Sequence, residues 1–123
     1  ILEGADIITF HNKLSENSKY LINSNAITKM KKNAIIINCA RGGLVNEKDI
    51  KDALEKRYIA GYGCDVYENE PGQDSIFSSM DNVVMTPHIG ASTIEAQEKV
   101  AYQIAEQIVE FLKNNKIINQ VNK

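Results

Sequence analysis

The chain has little cysteine, no long apolar run and no excess of one charge, and each shortage removes a class of protein. Cys39 and Cys64 are the only cysteines in 123 residues; each closes an apolar run, there is no C-x-x-C pair, and only His11 and His88 could add imidazole ligands. This argues against a disulfide framework or a metal site. It predicts two reduced thiols packed as small core residues in a reducing, cytoplasmic setting. The apolar runs, such as 34–37 and 83–85, fall far short of the roughly 20 residues needed to cross a bilayer. No membrane partner is expected. Fourteen Lys and Arg against 16 Asp and Glu give a net charge of −2 with no basic stripe, so no nucleic-acid partner is expected either. There is no internal repeat and no low-complexity linker. The length suits one domain or part of one, not two complete domains. The first residues, Ile1-Leu2-Glu3-Gly4, carry no leading methionine and no charged-then-apolar leader, which reads as a start inside a domain.

What is present is an alternation of short apolar runs with helical stretches, the pattern of βαβ units and a parallel sheet buried on both faces. Strands are predicted at 6–10, 34–39, 60–66 and 82–86. The second is rich in β-branched residues. The third contains Gly61 and Gly63, which permit close approach, and Pro87 closes the fourth by removing a ladder donor. A short helix is expected over 25–32 and another from Asn46 through Leu54, both packing on the sheet. The longest helix, about 93–113, is expected to start from Ser92, with Glu95 reaching back to complete a capping box. Ala101, Ile104, Ala105, Ile108, Phe111 and Leu112 then recur at helical spacing, as in an amphipathic helix packed on a core. The fold class is therefore α/β, part of a doubly wound parallel sheet of four strands with flanking helices.

In such sheets ligands bind beyond the carboxyl ends of the strands, where loops open a crevice and helix N-termini face it. The residues there are His11-Asn12-Lys13, Ala40-Arg41-Gly42-Gly43, the stretch from Asp65 to Glu70 and Pro71, and His88-Ile89-Gly90-Ala91. Arg41, Glu70 and His88 thus fall on successive loops of one edge. Singly, each reads as an ordinary turn or surface residue. Together they meet the needs of a 2-hydroxy or 2-keto acid site: an arginine fork binds carboxylate, a histidine moves protons near neutral pH, and a carboxylate supports its charged form. Glu68 is a rival to Glu70 that spacing alone does not exclude. Asp65 reads equally as a turn cap, His11 as structural or cofactor-adjacent, and Lys13 as solvated or as a phosphate contact.

Three linked segments carry a resemblance. Asn38-Cys39-Ala40-Arg41-Gly42-Gly43, then Gly61-Tyr62-Gly63-Cys64-Asp65-Val66-Tyr67-Glu68-Asn69-Glu70-Pro71, then Thr86-Pro87-His88-Ile89-Gly90-Ala91-Ser92-Thr93 resemble successive signatures of the D-isomer-specific 2-hydroxyacid dehydrogenases. Gly90-Ala91-Ser92-Thr93 followed by Glu95-Ala96-Gln97 is similar to the branch that acts on 3-phosphoglycerate. The resemblance implies NAD as cofactor. It implies that Arg41 binds the substrate carboxylate, that His88 is the acid/base and that Glu70 is its partner. Cys39, Ala40, Arg41, Asp65, His88, Gly90 and Ala91 are implied to border the nicotinamide half of the cofactor, with Asp65 on its carboxamide.

The implied reaction is oxidation of 3-phosphoglycerate to 3-phosphohydroxypyruvate, the first step of serine biosynthesis. Hydroxypyruvate, glyoxylate or D-lactate are alternative substrates of the family, and an NAD-sensing co-repressor is the non-enzymatic alternative. Family members are commonly homodimers or tetramers, and the long helix could contribute to that contact. Two departures stand out. Asn12-Lys13-Leu14 occupies the place after His11 where many members carry proline, and no G-x-G-x-x-G with a following acidic residue occurs. The 123 residues are therefore expected to be the C-terminal half of the nucleotide-binding domain, with the phosphate-binding half and the substrate domain upstream, and to be inactive by themselves.

Overall fold

A computed structural model describes residues 1–122, apart from the side chain of Gln73. The chain divides into two compact units, Ile1–Ile89 and Gly90–Lys123.

The first unit is built on four strands: β1 (Ile7–Phe10), β2 (Ile35–Asn38), β3 (Gly61–Cys64) and β4 (Val83–Met85). All pair in parallel, in the order β1-β2-β3-β4. The register aligns their ends: Phe10 stands opposite Asn38, Asn38 opposite Cys64, and Cys64 opposite Met85. Residues that follow the strands consequently emerge on one edge. Each strand lies within its predicted segment; β1 is shorter at its start only, and β2, β3 and β4 are shorter at both ends.

Two helices link the strands, α1 (Ser24–Ile27) and α2 (Glu47–Glu55). α2 starts from Asn46, whose side chain accepts from the Asp49 amide, as expected of an asparagine cap. The helix expected over 25–32 stops at Ile27. Thr28 Oγ1 donates back to the Asn25 carbonyl at 2.9 Å, and the amides of Lys29 and Met30 bond three residues back. The last turn is therefore tightened and not extended. Ile36, Leu44, Ile50, Leu54, Ile59 and Phe77 are the heart of one buried cluster, and the Tyr62 and Phe77 rings meet at 5.2 Å and 59°, a tilted arrangement that aromatic quadrupoles favour.

The expectation of a sheet buried on both faces is not met within this unit. Ile36 is fully buried, whereas Ile35 beside it is 38% exposed and Val84 is 73% exposed. The residues of α1 and α2 that are buried, including Ala26, Ile27, Ile50 and Leu54, join the same cluster as Ile36, so both helices serve one face.

In the second unit α3 spans Ile94–Asn114. Its cap is Thr93 and not Ser92: Thr93 Oγ1 accepts from the Ala96 amide at 3.2 Å. The expected capping box with Glu95 is replaced by Glu95 in the first helical turn, where its charge suits the helix dipole. The helix ends at Asn115, whose left-handed conformation (φ 50°) lets its amide bond the Glu110 and Phe111 carbonyls. The expectation that the apolar stripe packs in a core also fails, since no α3 residue is buried. Ile104, Ile108 and Phe111 instead wall an apolar groove of about 460 Å³ shared with Ile117 and Ile118. No helix among the described residues is long and apolar enough to cross a membrane.

Candidate active site

Local hydrogen bonding sets the turn after β2. Asn38 is fully buried; its Nδ2 donates to the Arg41 carbonyl at 2.9 Å and its Oδ1 accepts from the Ala40 amide at 3.2 Å. One buried amide thereby satisfies both sides of the turn that presents Arg41. Gly42 must be glycine for a steric reason. A Cβ there would lie 1.9 Å from the Tyr67 carbonyl oxygen, so the turn after β2 is pressed against the turn after β3. Arg41 itself is exposed, and its Nη1 donates to the Ala40 carbonyl at 2.6 Å.

Beyond β3 the two rival glutamates separate. Glu70 Oε1 accepts from the Tyr67 amide at 3.0 Å and lies 3.1 Å from His88 Nδ1. Glu68 faces elsewhere: its Oε1 accepts from the Glu47 amide at 2.9 Å, and its Oε2 accepts from the Tyr20 hydroxyl at 3.1 Å. Glu47 returns the contact by accepting from the Glu68 amide at 2.8 Å. Glu68 is therefore a cap on the first turn of α2, and Glu70 is the carboxylate that meets the imidazole. The Glu68 cluster perturbs its members. The hydrogen bond to Glu68 holds the Tyr20 phenol above its usual pKa, and burial does the same to the Glu47 carboxyl.

After β4 the chain folds tightly over Asp65. Asp65 is buried; its Oδ1 accepts from the Thr86 hydroxyl at 2.5 Å and from the Ile89 amide at 2.8 Å. The His88 amide donates to the Thr86 carbonyl at 3.0 Å, and His88 has φ 55°. That left-handed conformation costs a non-glycine residue about 1 kcal/mol or more, and the bonds to Asp65 and Thr86 hold it. With Nδ1 directed at Glu70, His88 presents Nε2 as its second proton-exchanging nitrogen. The two side chains are 49% and 39% exposed, so the pair is open to a ligand.

Arg41, Glu70 and His88 line one cavity of about 370 Å³ together with Tyr67, Lys19 and Tyr20. A second cavity of about 520 Å³ adjoins it through Arg41 and is lined by His11, Lys13, Cys39 and Ala40. Here Cys39 departs from its expected role as a core residue: it is exposed, whereas Cys64 is buried and burial pushes its thiol up to about 12. His11 Nε2 lies 3.0 Å from Thr9 Oγ1. Gly90 and Ala91 open the second unit, where the Ala91 carbonyl accepts from Gln97 Nε2 at 2.5 Å. Asn38 and Tyr67 support the site although neither motif nor spacing singles them out. Asn38 carried one signal, a lone amide closing the aliphatic run Ile35-Ile36-Ile37.

A parallel α/β sheet that gathers an arginine, a carboxylate and an imidazole at its carboxyl edge defines a Rossmann-like domain of the dehydrogenase type. Residues 1–90 match the profile of the D-isomer specific 2-hydroxyacid dehydrogenase, NAD binding domain, and the chain belongs to that family. It is 43% identical over 99% of its length to D-3-phosphoglycerate dehydrogenase of Bacillus subtilis (strain 168), of which it covers 23%. It is 41% identical over 88% of its length to hydroxypyruvate reductase of Thermotoga maritima, covering 36% of that protein. Among solved structures, the NAD-complexed D-isomer specific 2-hydroxyacid dehydrogenase of Lactobacillus delbrueckii ssp. bulgaricus aligns with a TM-score of 0.85 at 29% identity, over 98% of this chain and 41% of that one. The chain thus spans about a quarter of the length of the first of these relatives.

Proposed function

We propose that the full-length protein is an NAD-dependent oxidoreductase acting on a D-2-hydroxy acid, with 3-phosphoglycerate and 3-phosphohydroxypyruvate as its substrate pair. The observation that carries this reading is the 3.1 Å contact between Glu70 and His88 in the cavity that Arg41 also lines. Residues 1–123 are the C-terminal half of its nucleotide-binding domain, and they act with the phosphate-binding half and substrate domain of the same protein. Its setting is cytoplasmic and its assembly homo-oligomeric, as for family members at large.

The neighbouring cavity fits the ring end of a nicotinamide cofactor, because Cys39 and Ala40 are small side chains that let a flat ring lie against the wall beside Arg41. When bound, NAD(H) supplies or accepts the hydride. This chain's residues handle the anion and the proton. Arg41 binds the substrate carboxylate through its guanidinium fork and fixes the adjacent carbonyl carbon in position. His88, charged, donates its Nε2 proton to the carbonyl oxygen as the carbon is reduced; in oxidation neutral His88 takes that proton from the hydroxyl. Glu70, 3.1 Å from Nδ1, fixes the orientation of the imidazole.

Replacing His88 with alanine in the full-length protein is expected to lower kcat by roughly 10²- to 10⁴-fold while leaving NADH affinity within a factor of about three. Stopped-flow and fluorescence titration measure the two, and near-normal turnover by His88→Ala overturns the mechanism. The identity with hydroxypyruvate reductase favours one rival substrate. A steady-state panel of 3-phosphohydroxypyruvate, hydroxypyruvate, glyoxylate and pyruvate decides between them by kcat/KM.

A further inference from the structure

We infer that Tyr67 is a positioning residue that holds Glu70 and the His88 turn at proton-transfer distance. This deepens the proposed function and rests on it. Tyr67 lies between all three turns that carry the candidate residues. Its amide donates to Glu70 Oε1, the same oxygen that meets His88. Its hydroxyl donates to the Thr86 carbonyl at 2.8 Å, and that carbonyl also accepts from the His88 amide. The Tyr67 hydroxyl thus bonds the acceptor around which the left-handed residue His88 turns. Its backbone packs against Gly42, next to Arg41, and its ring packs against Gly72, where a Cβ would come within 2.3 Å of a ring carbon. One side chain therefore fixes the spacing between the Glu70 turn, to which it is covalently close, and the His88 turn, from which it is 21 residues away.

The side chain suits that task. Tyr67 is only 5% exposed, and burial pushes its phenol up to about 12. It keeps its proton and remains a donor to Thr86 throughout the neutral range. An ordinary core aromatic needs only the ring. The hydroxyl bond to the His88 turn is the part that ring packing does not explain, and phenylalanine keeps the ring while removing that bond together with the hydroxyl's contact with the Cys64 thiol.

The experiment uses the full-length protein. Tyr67→Phe is expected to lower kcat for reduction about five- to tenfold, the size of one lost hydrogen bond, with KM and NADH affinity within about twofold. In a Glu70→Gln background the same substitution is expected to cost less than twofold, since two residues acting through one contact are not additive. Titration of NADH-binding sites gives the folded fraction of each variant, so that kcat is referred to folded enzyme.

A Tyr67→Phe enzyme with unchanged kcat overturns the inference, whether or not its Tm is lower. Full additivity with Glu70→Gln overturns it too. If His88→Ala keeps near-normal turnover, the functional reading fails first. If His88→Ala is inactive and Tyr67→Phe behaves as wild type, only the role of Tyr67 fails.

Discussion

The two faces of the β1–β4 sheet are made from the same kind of residue and end in opposite environments. On one face Ile36, Tyr62 and Cys64 pack beneath α1 and α2 and are buried; on the other, Ile7, Ile35 and Val84 are exposed although they are as apolar as their neighbours. The turns that carry Arg41, Glu70 and His88 are braced from the covered side, through Asn38, Gly42 and Tyr67. The difference teaches that the candidate site depends on the covered face for its geometry. The contacts that brace these turns come from the covered face.

The largest expected effect breaks the comparison most directly. Ile36→Ala in the 123-residue polypeptide removes a fully buried side chain and is expected to cost roughly 2–5 kcal/mol. Ile35→Ala, one residue away, is expected to cost under about 1 kcal/mol, chiefly in strand propensity. Urea unfolding of the pair measures both. Equal costs would mean that the open face is packed in solution. Repeating the pair in the full-length protein sharpens the point, because a cost that rises at Ile35 alone means that chain outside these residues lies over it.

A smaller effect is expected at the helix that does the covering. Glu68 accepts from the first-turn amide of α2 and from Tyr20, so Glu68→Gln weakens a charge-assisted cap worth about 1 kcal/mol. In the 123-residue polypeptide that lowers Tm by roughly 3–6 °C, read by calorimetry. Turnover of the full-length enzyme is expected to stay within about threefold. A loss approaching that of His88→Ala would show that Glu68, not Glu70, serves the imidazole.

Much of this arrangement was legible in the sequence. Three of the four strands follow from β-branched runs, β3 (Gly61-Tyr62-Gly63-Cys64) being the exception, and Pro87 marks the end of β4 because it has no amide to give. The common edge of Arg41, Glu70 and His88 follows from parallel strands in register. What was not legible depends on tertiary partners. Glu68 and Glu70 are two residues apart on one turn; spacing does not separate them, and their partners do, the Glu47 amide and Tyr20 hydroxyl for Glu68 and the Tyr67 amide and His88 Nδ1 for Glu70. Ser92 and Thr93 are both competent caps, and the register of α3 selects Thr93. The exposure of Ile35 was illegible because a run such as Ile35-Ile36-Ile37 states that both faces want cover, not that residues 1–89 supply it.

The smallest expected effect lies at the edge of the open face. Val84 is 73% exposed on β4, the last strand of the sheet. Threonine there keeps the branched shape and strand preference of valine while adding a hydroxyl that water can bond. Val84→Thr in the 123-residue polypeptide is therefore expected to change stability by less than about 0.5 kcal/mol, as for exposed positions generally. The same hydroxyl under a packed layer would be desolvated without a partner and would cost about 1–3 kcal/mol. Urea unfolding separates the two outcomes. A cost in the upper range would mean that β4 is covered, and that the sheet has no open face.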